Sequence, residues 1–338
     1  MQNKQSIKEK KILVTGGAGF IGSNLCEELI SMNNEVICLD NLITGKKENI
    51  ENLLSNPKFK FIIGDITNLE DCNNACKNVD IILHQAALGS VPRSIENPIK
   101  TNLINISGFI NILWAAKQNN IKRVVYAASS STYGDSTKLP KVEDEIGLPL
   151  SPYAVTKYVN ELYAGVFSKL YGLELIGLRY FNVFGRKQDP DGAYAAAIPK
   201  FIKAFINHQS PTIHGDGSQS RDFTYIDNVI QANILAATSE NPDAINQVYN
   251  VACGDQSFLK DLVEELKKLL SNFDSIIKDI EIKYGPERIG DIKHSLASID
   301  KSKKLLNYQP THNVKEGLNA AIEWYWNYFT KSNTLIIE

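Results

Sequence analysis

A tyrosine and a lysine four residues apart, Tyr153 and Lys157, have the types and the spacing that acid–base chemistry needs. In an α-helix this spacing places both side chains on the same face, one turn apart. A Lys ammonium near a phenol favours the phenolate and so lowers the pKa of the tyrosine from about 10 toward the range of a useful base. Such a pair is more often part of a solvated helix face, so the interpretation depends on the rest of the chain.

The predicted helix that carries this pair has a clear N-terminus. Ser151 is a suitable N-cap, and Pro152 fits the first helical turn, where its missing N–H costs nothing. The helix is expected to run to about residue 170. Upstream, residues 123–127 are predicted to form a buried strand that leads into a run of hydroxyl residues, 129–132. Because ligands bind at the carboxyl ends of parallel strands, these hydroxyls should face the ligand crevice.

A glycine-rich turn near the start of the chain predicts a dinucleotide site. The apolar run 11–15 is typical of a buried strand, and Gly16, Gly19 and Gly22 follow it before a helical pattern over 23–31. The glycines permit close approach of the backbone to a diphosphate, which the helix N-terminus attracts. A second strand, 35–39, ends in Asp40, about 20 residues beyond the glycines. An acid there suits the ribose of NAD and repels the extra phosphate of NADP.

The alternation of strands and helices continues and predicts the α/β class. The expected architecture is a Rossmann-like doubly wound parallel sheet with a smaller mixed α/β substrate-binding lobe. Further strands are expected over 59–63, 80–84 and 173–178, and a long helix over 102–117. Residues 1–185 with about 225–255 are predicted to form the NAD-binding Rossmann domain. Residues from about 186–224 and 256–338 are predicted to form the substrate-binding lobe.

Composition and charge exclude several other classes of protein. The 338 residues carry a formal net charge of -2, so no basic field marks a nucleic-acid binder. No apolar run approaches the roughly 20 residues that span a bilayer, and the polar, lysine-rich N-terminus is unlike a signal peptide. The five cysteines lack zinc spacing and the five histidines do not cluster. Reduced thiols, a cytoplasmic location and no metal site are therefore expected.

With these features in place, the chain resembles the extended short-chain dehydrogenase/reductase family, and within it the nucleotide-sugar 4-epimerases. The resemblance spans residue 12 to about residue 324 and depends on several ordered motifs. These are Thr15-Gly16-x-x-Gly19-x-x-Gly22, Asp40-Asn41, Gly64-Asp65-Ile66, the segment from Ser129, Tyr153-x-x-x-Lys157 and the run Arg179-Tyr180-Phe181-Asn182 that leads to Gly185. The resemblance implies an enzyme with tightly held NAD and a UDP-sugar substrate.

The resemblance also assigns roles to particular residues. Tyr153 and Lys157 are the implied catalytic pair, with Ser129 or the adjacent Ser130 as the third member. The implied cofactor-binding residues are Gly16, Gly19, Phe20, Ile21, Gly22, Asp40, Asn41, Gly45, Asp65, Ile66, Gln85, Ala86, Ala87, Asn105, Tyr153, Lys157 and Val183. The implied substrate-binding residues are Gly89, Ser90, Val91, Ser130, Ser131, Tyr153, Asn182, Ala197, Ile198, Thr212, His214, Arg221, Arg288, Asp291 and Ser295.

One departure from the wider family argues against elimination of water. The family's 4,6-dehydratases carry an acidic residue directly after the catalytic Thr, because elimination needs an acid and a base at carbons 5 and 6. Ser130 and Ser131 occupy those positions here, and the Glu that decarboxylating members use is also absent. Epimerisation is therefore favoured over dehydration and decarboxylation.

The resemblance also implies how the second lobe holds the nucleotide. Thr212 and His214 would flank the uracil, and Asp291 would take the ribose. Arg221 and Arg288 would hold the diphosphate, because a guanidinium matches phosphate oxygens bidentately.

Ser295 is the clue to the sugar. Members restricted to glucose and galactose carry a bulky Tyr at the matching position, close to the 2-substituent of the hexose. A Ser leaves room for a 2-acetamido group, which favours 4-epimerisation of UDP-N-acetylglucosamine and UDP-N-acetylgalactosamine. Two alternatives remain open, 4-epimerisation of UDP-glucose and UDP-galactose or of a UDP-uronic acid.

A non-catalytic dinucleotide-binding module is a further alternative, which the presence of both Tyr153 and Lys157 disfavours. The helices expected over 102–117 and 153–170 resemble those that pair across a two-fold axis in the family. A homodimer is therefore expected.

Overall fold

Short apolar segments form the strands of the protein and amphipathic segments form its helices. The computed structural model describes residues 7–189, 196–287 and 293–334. The strands are β1 (Lys11–Thr15), β2 (Glu35–Asp40), β3 (Phe59–Ile63), β4 (Ile81–His84), β5 (Arg123–Ser129), β6 (Glu174–Tyr180), β7 (Val183–Phe184), β8 (Thr212–His214), β9 (Ser220–Arg221), β10 (Thr224–Tyr225), β11 (Val248–Val251), β12 (Ser257–Phe258) and β13 (Lys283–Gly285). The helices are α1 (Phe20–Ser31), α2 (Leu69–Ala75), α3 (Val91–Glu96), α4 (Pro98–Asn102), α5 (Gly108–Gln118), α6 (Pro152–Tyr171), α7 (Ala197–Ile206), α8 (Ile226–Thr238), α9 (Leu259–Leu270), α10 (Asp300–Leu306) and α11 (Val314–Thr334).

Seven of these strands form one parallel sheet in the order β3-β2-β1-β4-β5-β6-β11. The order reverses at β1, which lies between β2 on one side and β4 on the other. In open parallel sheets, ligands bind at such a point, outside the carboxyl ends of the strands. The predicted Rossmann-like doubly wound sheet is confirmed.

Helices cover both faces of this sheet. Ile12 and Val14 of β1 belong to the buried apolar cluster on one face, together with Leu25 of α1. Leu13 points the other way, into a second cluster that includes Phe109 of α5. Because both faces are buried, the central strands β1 and β4 are nearly continuous apolar runs without polar alternation. Among the described helices, none combines the length and the apolar character that a bilayer crossing requires.

A second, smaller group of elements follows β6. Helices α7, α9 and α11 pack against one another, and short strands pair as β7 with β10, β8 with β13 and β9 with β12. The chain returns to the main sheet with α8 and with β11, which pairs with β6. On this pattern we propose the division expected from the sequence, in which an NAD-binding domain alternates with a substrate-binding lobe.

The helix predicted over 102–117 is interrupted in the structure. One π-helical turn, Leu103–Ser107, separates α4 from α5. The side chain of Asn105, in this π turn, points toward Leu88. Its Oδ1 accepts a hydrogen bond from the Leu88 N–H at 2.7 Å. Single π turns of this kind are common near functional sites, and here the turn is fixed by a contact from a distant part of the chain.

Candidate active site

The β1–α1 turn packs so closely that only glycine fits at two of its positions. Gly16 has a φ of +66°, and a Cβ there would lie 2.7 Å from the backbone nitrogen of Ala86. A Cβ on Gly22 would lie 2.1 Å from the carbonyl oxygen of Gly16. The turn therefore touches the loop after β4 on one side and the start of α1 on the other. This close packing leaves the backbone itself as the surface of the crevice.

The N-terminus of α1 is a potential anion-binding site. Gly19 is the N-cap, and no side chain in the described parts of the chain caps the first turn. The first amide groups of a helix lack intrahelical acceptors, and the helix dipole adds positive character at this end. A diphosphate of a dinucleotide fits these donors.

Asp40 is held rigidly at the end of β2. Its Oδ2 accepts a hydrogen bond from the Ala18 N–H at 2.9 Å, and its Oδ1 accepts from the Leu42 N–H at 2.8 Å. Burial raises the pKa of this carboxyl, and the two backbone donors oppose that effect. A Cβ on Gly45 would lie 2.8 Å from the carboxylate, so Gly45 keeps the space in front of it open. A fixed acceptor with open space fits the ribose hydroxyls of NAD.

The turn and Asp40 border a cleft of about 450 Å³ that contains most of the predicted cofactor residues. Residues predicted from the sequence that line it are Gly16, Gly19, Phe20, Ile21, Gly22, Asp40, Asn41, Ile66, Gln85, Ala86, Ala87 and Gly89. Lining residues that the sequence reasoning missed include Lys46, Asn49, Ile104, Lys187, Gln188 and Asp189.

Several predicted cofactor residues lie beside or behind this cleft. Asp65 accepts a hydrogen bond from the Asn41 side chain at 2.9 Å and so orients a residue that lines the cleft. Asn105 is only 1% exposed and lies behind the loop after β4. Val183 lines a second cavity. The sequence signals for these residues located the right region but not the direction in which each side chain points.

The predicted catalytic residues come together at the carboxyl end of β5. The Tyr153 hydroxyl interacts with the Ser129 side chain, and Ser129 Oγ accepts a hydrogen bond from the Ser131 hydroxyl at 2.8 Å. Lys157 Nζ lies 5.9 Å from the centre of the Tyr153 ring and donates to the Ala127 carbonyl at 2.8 Å. Of the two candidates for the third member, Ser129 is thus the one in contact with Tyr153. Neither Tyr153 nor Lys157 is among the residues that line the two cavities.

Burial dominates the electrostatics of this cluster. It raises the pKa of Tyr153, and the interaction with the Ser129 side chain lowers it. Burial also lowers the pKa of Lys157 to about 8, while the nearby Glu161 carboxylate raises it. Burial, reinforced by Lys157, lowers the pKa of His84 to about 3, so this imidazole is neutral. Lys157 is therefore the positive charge of the cluster.

The helix that presents Tyr153 is anchored at its start and along its length. Ser151 Oγ accepts from the Ala154 N–H at 3.1 Å, which confirms the predicted N-cap of α6. One turn beyond Lys157, Glu161 forms a two-point ion pair with Arg179 of β6, at 2.8 Å and 2.7 Å. Both partners are buried, so α6 is fixed against the sheet.

A second cavity of about 460 Å³ contains many of the predicted substrate residues. Those that line it are Asn182, Ala197, Ile198, Thr212, His214 and Arg221. The sequence reasoning missed Phe201, Gln219, Phe223 and Ser257, which also line it. Ala196 lines both cavities, so the two adjoin.

The remaining predicted substrate residues lie in other places. Ser90 caps α3 by accepting from the Arg93 N–H at 3.2 Å, and Val91 is the first residue of that helix. Ser295 is half-buried, and its N–H donates to the Ser220 carbonyl at 3.0 Å, one residue before Arg221. Ser130 and Ser295 line neither cavity. Arg288 and Asp291 lie outside the described residues.

Comparison with known proteins gives the class. The profile of the family described as "NAD dependent epimerase/dehydratase family" matches residues 12–252. The chain belongs to this family.

Three solved structures resemble the chain over nearly their whole length. A UDP-N-acetylglucosamine 4-epimerase from Methanobrevibacter ruminantium, in complex with UDP-N-acetylmuramic acid, is 41% identical, with a TM-score of 0.89 over 95% of this chain and 100% of that one. A UDP-glucose 4-epimerase from Thermotoga maritima, with UDP-glucose, is 33% identical, with a TM-score of 0.86 over 94% and 99%. A UDP-glucuronic acid 4-epimerase from Bacillus cereus, with UDP-glucuronic acid and NAD, is 33% identical, with a TM-score of 0.83 over 95% and 99%. The predicted enzyme class, an NAD-dependent isomerase of the nucleotide-sugar 4-epimerase type, is confirmed, as is NAD as its cofactor.

Lys46 and the C-terminal helix provide a first prediction, which concerns retention of NAD. Lys46 Nζ donates to Asp189 Oδ1 at 3.1 Å and to the Tyr328 hydroxyl of α11 at 3.2 Å, at the edge of the cofactor cleft. Lys46→Met removes these partly exposed interactions, so NAD should dissociate about 2- to 5-fold faster. The rate is measured by dilution into a trap for free NAD.

Lys47→Met is the matched control, because Lys47 is exposed and lies outside the cleft lining. Equal dissociation rates in the two variants would contradict a role of Lys46 in retention.

Proposed function

We propose that the protein interconverts UDP-N-acetylglucosamine and UDP-N-acetylgalactosamine by inverting carbon 4. The observation that carries the reaction is the Ser129–Tyr153–Lys157 cluster at the carboxyl end of β5, in the same sheet as the glycine turn. The choice of an N-acetylated sugar is supported by Ser295, which lacks the bulk of a Tyr, and by the 41% identity to a UDP-N-acetylglucosamine 4-epimerase.

Tyr153 and Ser129 have different proposed roles in the reaction. Tyr153, as phenolate, takes the proton of the 4-hydroxyl while that carbon is oxidised, and returns it when the carbon is reduced. Ser129 donates a hydrogen bond to the same sugar oxygen and steadies the 4-ketone. NAD, held by the glycine turn and Asp40, would supply the reversible hydride chemistry at carbon 4, so no net oxidation would result. The sugar must turn over between the two transfers.

Lys157 supplies the positive charge that this base requires. The lysine is 3% exposed, and its ammonium is fixed by the Ala127 carbonyl. A buried positive charge near Tyr153 favours the phenolate over the phenol, which opposes the effect of burial on that tyrosine. We propose that Lys157 and Ser129 together bring the pKa of Tyr153 into a working range in the loaded enzyme.

The second cavity is proposed to hold the UDP group. Phe201 and Phe223 offer apolar walls for the base, and Thr212 and His214 offer polar groups at its edge. Arg221 is proposed to bind the diphosphate. With the nucleotide anchored in this cavity, the hexose is held loosely enough to present either face to the cofactor.

The test of the substrate compares three sugars under the same conditions. Purified protein is followed by NMR with UDP-N-acetylglucosamine, UDP-glucose and UDP-glucuronic acid, without added cofactor and then with NAD. We expect the N-acetylated sugar to have the highest kcat/KM. A clear preference for UDP-glucose or for the uronic acid would overturn the proposed substrate and establish one of the two alternatives instead.

Ser295→Tyr provides a matched variant for the same assay. A Tyr at this position should lower kcat/KM for UDP-N-acetylglucosamine by at least about 10-fold, because a clash of several heavy atoms exceeds the ~1.4 kcal/mol that a factor of ten represents. Turnover of UDP-glucose should change far less. Equal losses for both sugars would show that Ser295 does not face the 2-substituent.

We propose that the protein acts as a homodimer through an exposed apolar surface on α6. Val155, Leu162 and Val166 lie on this surface at helical spacing, and each is 45% exposed or more. Ile99 of α4 and Leu103 of the π turn are also exposed, at 81% and 50%, and α4 packs against α6. Apolar patches of this kind commonly mark protein–protein contacts.

Val166→Glu is expected to convert the dimer into a monomer, because it buries a carboxylate at the proposed contact. Light scattering after gel filtration measures the mass. Tyr284→Glu is the control, since this exposed aromatic residue lies on β13, away from α6. A wild-type monomer, or a Val166→Glu variant of unchanged mass, would contradict the proposed interface.

A cytoplasmic location is part of the same proposal. All five cysteines are free and four of them are buried, as expected of a protein from a reducing compartment.

A further inference from the structure

The loop between β4 and α3 forms part of the wall of the cofactor cleft. We name residues 88–94, which are the end of this loop and the first turn of α3, the cleft loop. Leu88 and Gly89 line the cleft directly. Ser90 in this loop has a φ of 145°, and its side chain caps the first turn of α3. The loop is therefore shaped by its own hydrogen bonds, and it is also joined to α6 at two points.

The first connection is made by Ser94. This residue is completely buried. Its hydroxyl donates to the Val91 carbonyl at 2.7 Å and accepts from the Tyr153 N–H at 3.0 Å. Tyr153 lies in the first turn of α6, where backbone N–H groups lack an intrahelical acceptor. A side chain from the cleft loop, 59 residues earlier in the chain, supplies that acceptor.

The second connection is made by Asn105 of the π turn. Its Oδ1 accepts from the Leu88 N–H at 2.7 Å, and its Nδ2 donates to the Leu88 carbonyl at 3.2 Å and to Thr156 Oγ1 at 3.1 Å. The Thr156 hydroxyl in turn donates to the Tyr153 carbonyl at 2.8 Å. Asn105 and Thr156 are 1% and 2% exposed, so water does not replace these bonds.

The two connections reach both backbone polar groups of Tyr153. Ser94 binds the N–H of this residue, and Asn105 reaches its carbonyl through Thr156. The cleft loop and the catalytic tyrosine thus form one hydrogen-bonded unit, whereas the Tyr153 side chain itself interacts with Ser129 and Lys157.

We propose that Ser94 and Asn105 are positioning residues. They hold the Tyr153 hydroxyl against Ser129 and fix the position of this base relative to the cleft loop. The proposal depends on the assignment of Tyr153 as the base. A shift of about 1 Å in a reacting group can cost roughly 100-fold in rate, so loss of one connection should affect the chemical step.

Ser94→Ala tests the proposal. It leaves the Tyr153 N–H without its hydrogen-bond acceptor and removes one of the two connections between the cleft loop and α6. We expect kcat to fall by about 10-fold to 100-fold, while KM for the UDP-sugar changes less than about 3-fold and the retained NAD is unchanged. The acid limb of the kcat–pH profile should move to higher pH, because a weaker bond to Ser129 raises the pKa of a base that must be deprotonated. Hydrogen exchange of peptides covering 88–94 and 151–157 should become faster.

Ser151→Ala is the matched control, because it removes a hydrogen bond from the same turn of α6 without touching the cleft loop. It should reduce thermal stability to a similar degree but lower kcat by a smaller factor and leave the pH profile in place. Equal effects of the two variants on kcat, or faster hydrogen exchange in Ser94→Ala with wild-type kcat, would overturn the positioning role.

Asn105→Ala supplies a second variant on the other connection, for use if Ser94→Ala does not fold. It should likewise lower kcat and shift the acid limb to higher pH, and a wild-type profile would count against the proposal. The proposed function is checked separately. If Tyr153→Phe were active, the base assignment itself would fail, whereas an inactive Tyr153→Phe beside a fully active Ser94→Ala would refute only the positioning role.

Discussion

Tyr153→Phe is expected to lower kcat for carbon-4 epimerisation by about 10²–10⁴-fold. The variant removes one oxygen atom, the group that interacts with Ser129 and that is proposed to take the 4-hydroxyl proton. Ser129 keeps the Ser131 hydroxyl as a neighbour at 2.8 Å, so the local structure should survive. An NMR time course measures the rate, and the NAD content of the purified variant, expected to equal that of wild type, is measured beside it.

Tyr158→Phe is the control for this experiment, since Tyr158 is the next tyrosine on the same helix. It should retain most of the wild-type rate. Residual activity of Tyr153→Phe above roughly one tenth of wild type would be incompatible with general-base catalysis by this residue.

Glu161→Gln is expected to destabilise the protein by about 3–5 kcal/mol, the usual cost of an uncompensated buried charge. The side chains of Arg179 and Glu161 are 4% and 7% exposed, and two bonds of 2.8 Å and 2.7 Å join them. Gln keeps the size of Glu but removes the charge, so the Arg179 guanidinium remains buried without its counter-ion. The free energy of unfolding from urea titration measures the loss.

The pair Lys138–Glu145 provides the contrast. Its partners are 75% and 51% exposed, although their charged atoms are only 2.6 Å apart. Glu145→Gln should change the free energy of unfolding by no more than about 1 kcal/mol, because water screens and replaces such a pair. Similar losses in the two variants would mean that burial does not control the strength of these ion pairs.

The sequence was informative wherever a short motif dictates its own local structure. Gly16 and Gly22 could be predicted because the turn leaves no space for a side chain, and Ser151 because a helix needs an N-cap. The Tyr153/Lys157 pair follows from helical periodicity. In each case the determining contacts lie within a few residues, so the sequence contains them.

Other parts of the site depend on contacts between distant residues. The π turn at Asn105 could not be foreseen, because the apolar periodicity of 102–117 continues through it and only the bonds to Leu88 and Thr156 fix it. Lys46 and Asp189 appear in the sequence as ordinary loop charges. Their meeting at the cleft edge requires residues 143 positions apart to converge. For the same reason, the low pKa of His84 and the burial of Glu161 have no signature in the sequence.

The C-terminal helix has a consequence for how the enzyme is made. Tyr325 of α11 donates a hydrogen bond to the Gly185 carbonyl at 2.9 Å, and the Tyr328 hydroxyl accepts one from Lys46. The C-terminal helix therefore stabilises one wall of the cofactor cleft. A ribosome produces the N-terminal half first, and that half can begin to fold as it emerges. A nascent chain that already carries the glycine turn and Asp40 still lacks the two tyrosines. Firm capture of NAD should therefore coincide with the last steps of translation, and premature termination before α11 should yield a chain that does not retain its cofactor.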